Sequence, residues 1–83
     1  MEHTQGEIRR FIVNNFLFGQ EDEQLMNNSS LLQSGTIDST GVLELVVFLE
    51  ETYSIKVEDE DLLPENLDSI ENVAQFVERK LQN

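Results

Sequence analysis

The sequence predicts an all-α protein: a small bundle of three main helices plus one short helix, with a long loop between helices I and II. Three observations predict it. Apolar residues make up 39% of the 83 and recur at helical spacing. Segments rich in Gly, Pro, Asn and Ser separate these runs. The one candidate strand, around Ile55 and Val57, is too brief and has no partner run elsewhere. A chain of this length is expected to form one domain over 1–83, with a small core that stabilises it only marginally.

Helix I is expected over about 5–18. Thr4-Gln5-Gly6-Glu7 fits a capping box, with a hydroxyl at the cap and a carboxylate three residues on. Ile8, Phe11, Ile12 and Phe16 follow on one face, Leu17 and Phe18 extend the patch, and Gly19 suits a stop. The connection over about 19–38 is long for a small domain, so it needs anchors or a function of its own. Leu25, Leu31, Leu32 and Ile37 are the expected anchors.

Helix II is expected over about 39–53, with Val42, Leu45, Val46, Leu49 and Tyr53 as its core stripe. Leu43, Val47 and Phe48 lie off that stripe. This helix therefore has more apolar surface than one core face requires. Helix III is expected as a short element over about 58–63 that Pro64 ends. Helix IV is expected over about 69–81, with Ile70, Val73, Ala74, Phe76, Val77 and Leu81 inward. Arg79 and Lys80 in its last turn complement the helix dipole.

Charge narrows the function classes. Seventeen acidic side chains face five basic ones, a formal net charge of −12. Ten of the acids lie between Glu44 and Glu71, where Lys56 is the only base. Such a surface repels nucleic-acid phosphates and anionic headgroups and attracts partners with basic patches. There are no cysteines, hence no disulfides, thiolate metal sites or thiol nucleophile. No apolar run approaches the roughly 20 residues that span a bilayer. The N-terminal MEHTQGEIRR lacks a signal-peptide core. A cytoplasmic monomer without stable membrane insertion is expected.

Enzymatic constellations are nearly absent. His3, the single histidine, stands near the N-terminus, which argues against a Ser-His-Asp triad. The EDED run at 58–61 lacks the alternating ligands and central Gly of a calcium loop, so no metal site is expected. The expectation is a protein that is not itself an enzyme.

Two Asp-Ser pairs remain. Asp38 and Asp68 both stand where a carboxylate can cap a helix, and Glu71 can complete a capping box with Asp68. Capping by Asp38 places Ser39 at the first helical position, its hydroxyl outward beside the positive end of the dipole, where an attached phosphate is favoured. Surroundings separate the two pairs. Ser39 ends the long loop and adjoins a face of Thr40, Leu43, Glu44, Val47 and Glu51, which mixes apolar and acidic groups as a docking surface does. Ser69 adjoins Glu71, Asn72, Gln75 and Glu78, an ordinary solvated face, so a plain capping role is expected there.

The stretch over about 28–77 resembles the acyl carrier protein family. The matching elements are Leu31…Gly35-Thr36-Ile37-Asp38-Ser39, then Leu45…Leu49-Glu50-Glu51, then Asp61-Leu62…Leu67-Asp68-Ser69-Ile70. The resemblance implies that Ser39 receives a 4′-phosphopantetheine arm from coenzyme A, with Asp38 assisting. The thiol of that arm would carry acyl or aminoacyl groups as thioesters. Implied partners are a phosphopantetheinyl transferase and acyl-loading, condensing and tailoring enzymes whose basic patches meet Glu44, Glu51, Asp59 and Asp61. Fatty-acid, polyketide or related lipid biosynthesis is the implied setting. The alternatives are an aminoacyl or peptidyl carrier of a nonribosomal or cell-wall pathway, and an unmodified acidic interaction module. Thr40 stands where the family usually has Leu, and Phe48 where many members have a smaller residue, which points to a specialised carrier. Gly41 lowers helix propensity by about 1 kcal/mol relative to Ala, predicting a loose first turn.

Overall fold

The computed structural model describes residues 2–17, 19 and 25–82; Phe18 and positions 20–24 of the loop lie outside the described residues. The chain is all-helical, with no strand among the described residues. It contains α1 (Glu2–Phe16), α2 (Ser39–Tyr53), a 3₁₀ turn at Asp59–Asp61, α3 (Pro64–Leu67) and α4 (Ile70–Gln82).

Helix α1 starts three residues before the expected position. Thr4 therefore lies inside the helix and is not its cap. It is buried, and its hydroxyl donates to Glu78 Oε1 on α4 at 3.0 Å. A tertiary hydrogen bond has taken the hydroxyl that the capping box would have used. At the other end, Gly19 adopts a positive φ of 78° and its N–H donates to the Val13 carbonyl at 2.9 Å, which also accepts the Leu17 N–H at 3.1 Å.

The core forms where the apolar stripes of α1, α2 and α4 converge. Ile8 and Ile12 of α1, Leu45 and Leu49 of α2, and Ile70, Val73, Ala74 and Val77 of α4 are fully buried. Val42, Val46 and Tyr53 of the expected α2 stripe are only half-buried, packed at the margin. Phe48 joins them there: its ring stacks on Phe11 at 4.2 Å between centroids, and Phe11 meets Phe16 edge-on at 5.9 Å. The expected inward residue Leu81 is half exposed, because the last turn of α4 runs past the core cluster, which ends at Val77.

Gly41 has a packing role that its helix propensity does not show. A Cβ at this position would lie 2.9 Å from Phe16 Cε1 and 3.3 Å from Ile37 Cγ2. The missing side chain lets the end of α1 press against the first turn of α2. Here the residue that lowers intrinsic propensity is what permits the packing.

The segment after α2 also differs from expectation. Ser54 ends that helix in the left-handed conformation at φ 55°. Asp59–Asp61 is one 3₁₀ turn, and Pro64 begins α3 instead of ending a helix. A missing N–H costs nothing at a first helical position, so proline fits a helix start as well as a stop. Two cations of α4 hold the segment in place. Lys80 Nζ lies 2.8 Å from Asp61 Oδ2, and Arg79 Nη2 donates to Asn66 Oδ1 at 2.9 Å.

Candidate functional site

Helix α2 opens on Asp38, which is extended at φ −105°, ψ −174°. Asp38 Oδ1 accepts the Gly41 N–H at 2.7 Å, so the expected cap is present. Ser39 is then the first residue of the helix and is exposed, and its hydroxyl makes no hydrogen bond among the described residues. The cap determines which carboxylate is committed to the backbone and which hydroxyl remains available.

Beside Ser39 is an open pocket of about 280 Å³. Its lining is mainly apolar: Leu32 from the loop, Val42 and Leu43 from α2, and Leu62, Leu63, Pro64 and Leu67 from the α3 segment, with Asp68 at its edge. Sequence reasoning missed this pocket. Leu32 was expected to anchor the loop, but it is 43% exposed, whereas Leu25, Leu31 and Ile37 are buried as anchors. The signal was in the doublets Leu31-Leu32 and Leu62-Leu63. In the first, one member enters the core and the other is displayed. In the second, both are displayed.

The expected docking face is exposed throughout. Leu43 and Val47 are 58% and 52% exposed, and Thr40, Glu44 and Glu51 are exposed beside them. Leu43 joins this face to the pocket. Asp59 is exposed as well. Asp61 is placed differently: it is half-buried, paired with Lys80, and accepts the Glu58 N–H at 3.0 Å. The Lys80 ammonium and this N–H hold its carboxyl below the usual carboxylate range. Asp61 is thus already partnered within the molecule, whereas the Asp59 carboxylate has no partner among the described residues.

The second Asp-Ser pair has exchanged roles relative to expectation. Ser69, not Asp68, caps α4, its Oγ accepting the Asn72 N–H at 3.0 Å. The Asp68 carboxylate turns to the loop, accepting from Ser30 Oγ at 2.6 Å and from the Leu32 N–H at 3.0 Å. Its competing partners are polar groups of the loop, brought to it by the burial of Leu31.

His3 is exposed near the N-terminus, 3.5 Å from Glu7, remote in role from Ser39. Among the described residues no group of His, Asp or Glu side chains has the geometry to hold a metal ion, and no helix is long and apolar enough to cross a membrane.

A small helical bundle that displays one serine between an apolar pocket and an acidic-apolar helix face has the form of a carrier domain. Comparison with known proteins carries this further. No family model matches the chain. A D-alanyl carrier protein of Streptococcus pyogenes is 34% identical over 58 residues, 70% of this chain and 73% of the relative. An acyl carrier protein of Buchnera aphidicola is 26% identical over 80 residues, 96% of each chain. The solution NMR structure of a holo acyl carrier protein from Nitrosomonas europaea superposes with a TM-score of 0.79 over the full length of both chains, at 26% identity. The chain belongs to the acyl carrier protein family and is a carrier protein.

Proposed function

We propose that Ser39 is the attachment site of a 4′-phosphopantetheine arm, and that the chain carries acyl intermediates of fatty-acid, polyketide or related lipid biosynthesis as thioesters on it. The observation that carries this reading is the exposed, uncommitted Ser39 hydroxyl at the capped start of α2, beside an apolar pocket of about 280 Å³. The residues suit the group. A phosphodiester on Ser39 Oγ would lie at a helix N-terminus, where the dipole favours negative charge. The apolar pocket wall can cover the start of an arm or its cargo. When bound, the arm supplies the thiol that a cysteine-free chain lacks.

The protein's own part is presentation. Asp38 holds the first turn and so fixes the direction of the Ser39 hydroxyl, the sense in which it assists modification. In the transfer, the Oγ–phosphorus bond forms as the pyrophosphate link of coenzyme A breaks. The adenosine bisphosphate half leaves, and the hydroxyl proton passes to the transferase. Thr40, Leu43, Glu44, Val47 and Glu51, with Asp59, form the surface offered to partners with basic patches. These would include the transferase and loading, condensing and tailoring enzymes. On this reading the chain acts in the cytoplasm as a monomer and is a substrate of other enzymes.

Incubation with coenzyme A and a broad-specificity phosphopantetheinyl transferase, followed by intact mass, tests the assignment. Wild type and Ser69→Ala should gain the arm and Ser39→Ala should not. Loss of modification in none of the three, or in Ser69→Ala alone, would reject Ser39. A second reading, an aminoacyl carrier, is favoured by the 34% identity to D-alanyl carrier proteins. The mass of cargo on protein purified from its natural source separates the two.

A further inference from the structure

The Asp68 contacts reach the Ser39 site. Its carboxylate holds Ser30 and Leu32, as described, and its carbonyl accepts the Leu31 N–H at 2.7 Å. The Leu31 carbonyl in turn accepts the Ile37 N–H at 3.1 Å, and Ile37 is followed directly by Asp38 and Ser39. Ile37 is buried, and its Cγ2 lies against Gly41. A continuous run of bonds therefore connects the α3–α4 junction to the first turn of α2. The same contacts place Leu32 in the pocket wall.

We propose that Asp68 is a positioning residue for Ser39. It latches the end of the long loop to the α3–α4 junction, and so sets both the start of α2 and the Leu32 side of the pocket. Two bonds to one carboxylate are charge-assisted and fix two loop groups at once. Without them, Leu31 and Ile37 remain apolar anchors, but the Leu31 N–H bond to the Asp68 carbonyl is the one polar contact left, among the described residues, that ties residues 30–33 to the junction. The start of α2 then occupies its presenting position only part of the time. A partner that needs that position binds with an apparent constant weakened by that fraction, while the bound complex reacts as before.

The functional half of this proposal rests on the assignment of Ser39 as the modified residue, so the test has two arms. In the first, amide hydrogen exchange is measured by NMR on unmodified wild type, Asp68→Ala, Asp68→Asn and Ser69→Ala, using Ile12 in α1 as the internal reference. Asp68→Ala should speed exchange at Leu31 and Ile37 about tenfold or more relative to Ile12. Asp68→Asn, which keeps an acceptor for the Leu32 N–H, should stay within about threefold of wild type. Ser69→Ala removes a cap at the same junction and should leave that ratio unchanged.

In the second arm, the transferase is assayed with each carrier as the varied substrate. Asp68→Ala should raise KM about threefold or more with kcat nearly unchanged, and Asp68→Asn should restore KM. Unchanged exchange in Asp68→Ala, or the same exchange and KM changes in Ser69→Ala, overturns the latch. If wild type takes up no arm, the Ser39 assignment fails, and the exchange arm still decides the latch. Should Asp68→Ala not fold, Ser30→Ala removes one of the two bonds and must still raise the exchange ratio.

Discussion

Replacing Gly41 by Ala sets two known effects against each other at one position. Helix propensity alone predicts stabilisation of about 1 kcal/mol, since Gly41 lies inside α2. Packing predicts the reverse. The added carbon would lie 2.9 Å from Phe16 Cε1, well inside contact distance, and 3.3 Å from Ile37 Cγ2. Phe16 also meets Phe11 edge-on at 5.9 Å, so its ring cannot swing away without disturbing a second ring. Overpacking of this kind costs about 1–3 kcal/mol. The net expectation is destabilisation of about 1 kcal/mol, measured as a fall in urea midpoint at constant slope. In a Phe16→Ala background the ring is absent, and Gly41→Ala should become neutral or stabilising by up to about 1 kcal/mol, a coupling of at least about 1 kcal/mol. Stabilisation of the wild-type background, or no coupling between the two sites, would refute the close approach as the reason for glycine.

Three further outcomes follow from single contacts. Ser54 is left-handed at φ 55°, so Ser54→Gly should relieve strain and raise stability by up to about 1 kcal/mol in thermal or urea melts, whereas a fall would contradict the conformation. Asp61, lowered by Lys80, contributes stability that is fully present above the ordinary carboxylate pKa and is lost as pH falls through its lower folded value. Urea melts of wild type and Asp61→Asn should therefore differ at pH 7 and converge below about pH 4. Tyr53 donates to Glu7 Oε1 at 2.8 Å, and burial, then that bond, raise its pKa. Tyr53→Phe should lose about 0.5–1.5 kcal/mol at neutral pH, and the wild-type advantage should fade as pH rises above about 10.

Much of the candidate site was legible in the linear order of residues. Asp38 before Ser39 before a helical run is a local pattern, and local capping physics reads it directly. The exposed face of Thr40, Leu43, Glu44, Val47 and Glu51 followed from the 3.6-residue period. Its apolar surplus was visible because α2 carries more large side chains than one stripe can bury. The pocket was not legible, because Leu32, Leu62, Leu63 and Leu67 come from separate segments whose approach no spacing encodes. The partnering of Asp61 with Lys80 was hidden for the same reason, since they stand nineteen positions apart.

By itself the sequence determined the all-helical class, the boundaries of α2, the core residues at 8, 12, 45, 49, 70, 73 and 77, and the outward serine. Each depends on neighbours within a turn or two, where periodicity and capping act. Tertiary structure decided the cases in which one group had two eligible partners. Thr4 could cap α1 or bond Glu78, and the packing of α4 on α1 chose the second. Asp68 could cap α4 or hold the loop; the buried Leu31 brought Ser30 and Leu32 to it, and the cap passed to Ser69. Gly41 reads as a weak point along the chain and as a contact surface in space, because the Phe16 ring that gives it a purpose arrives from another helix.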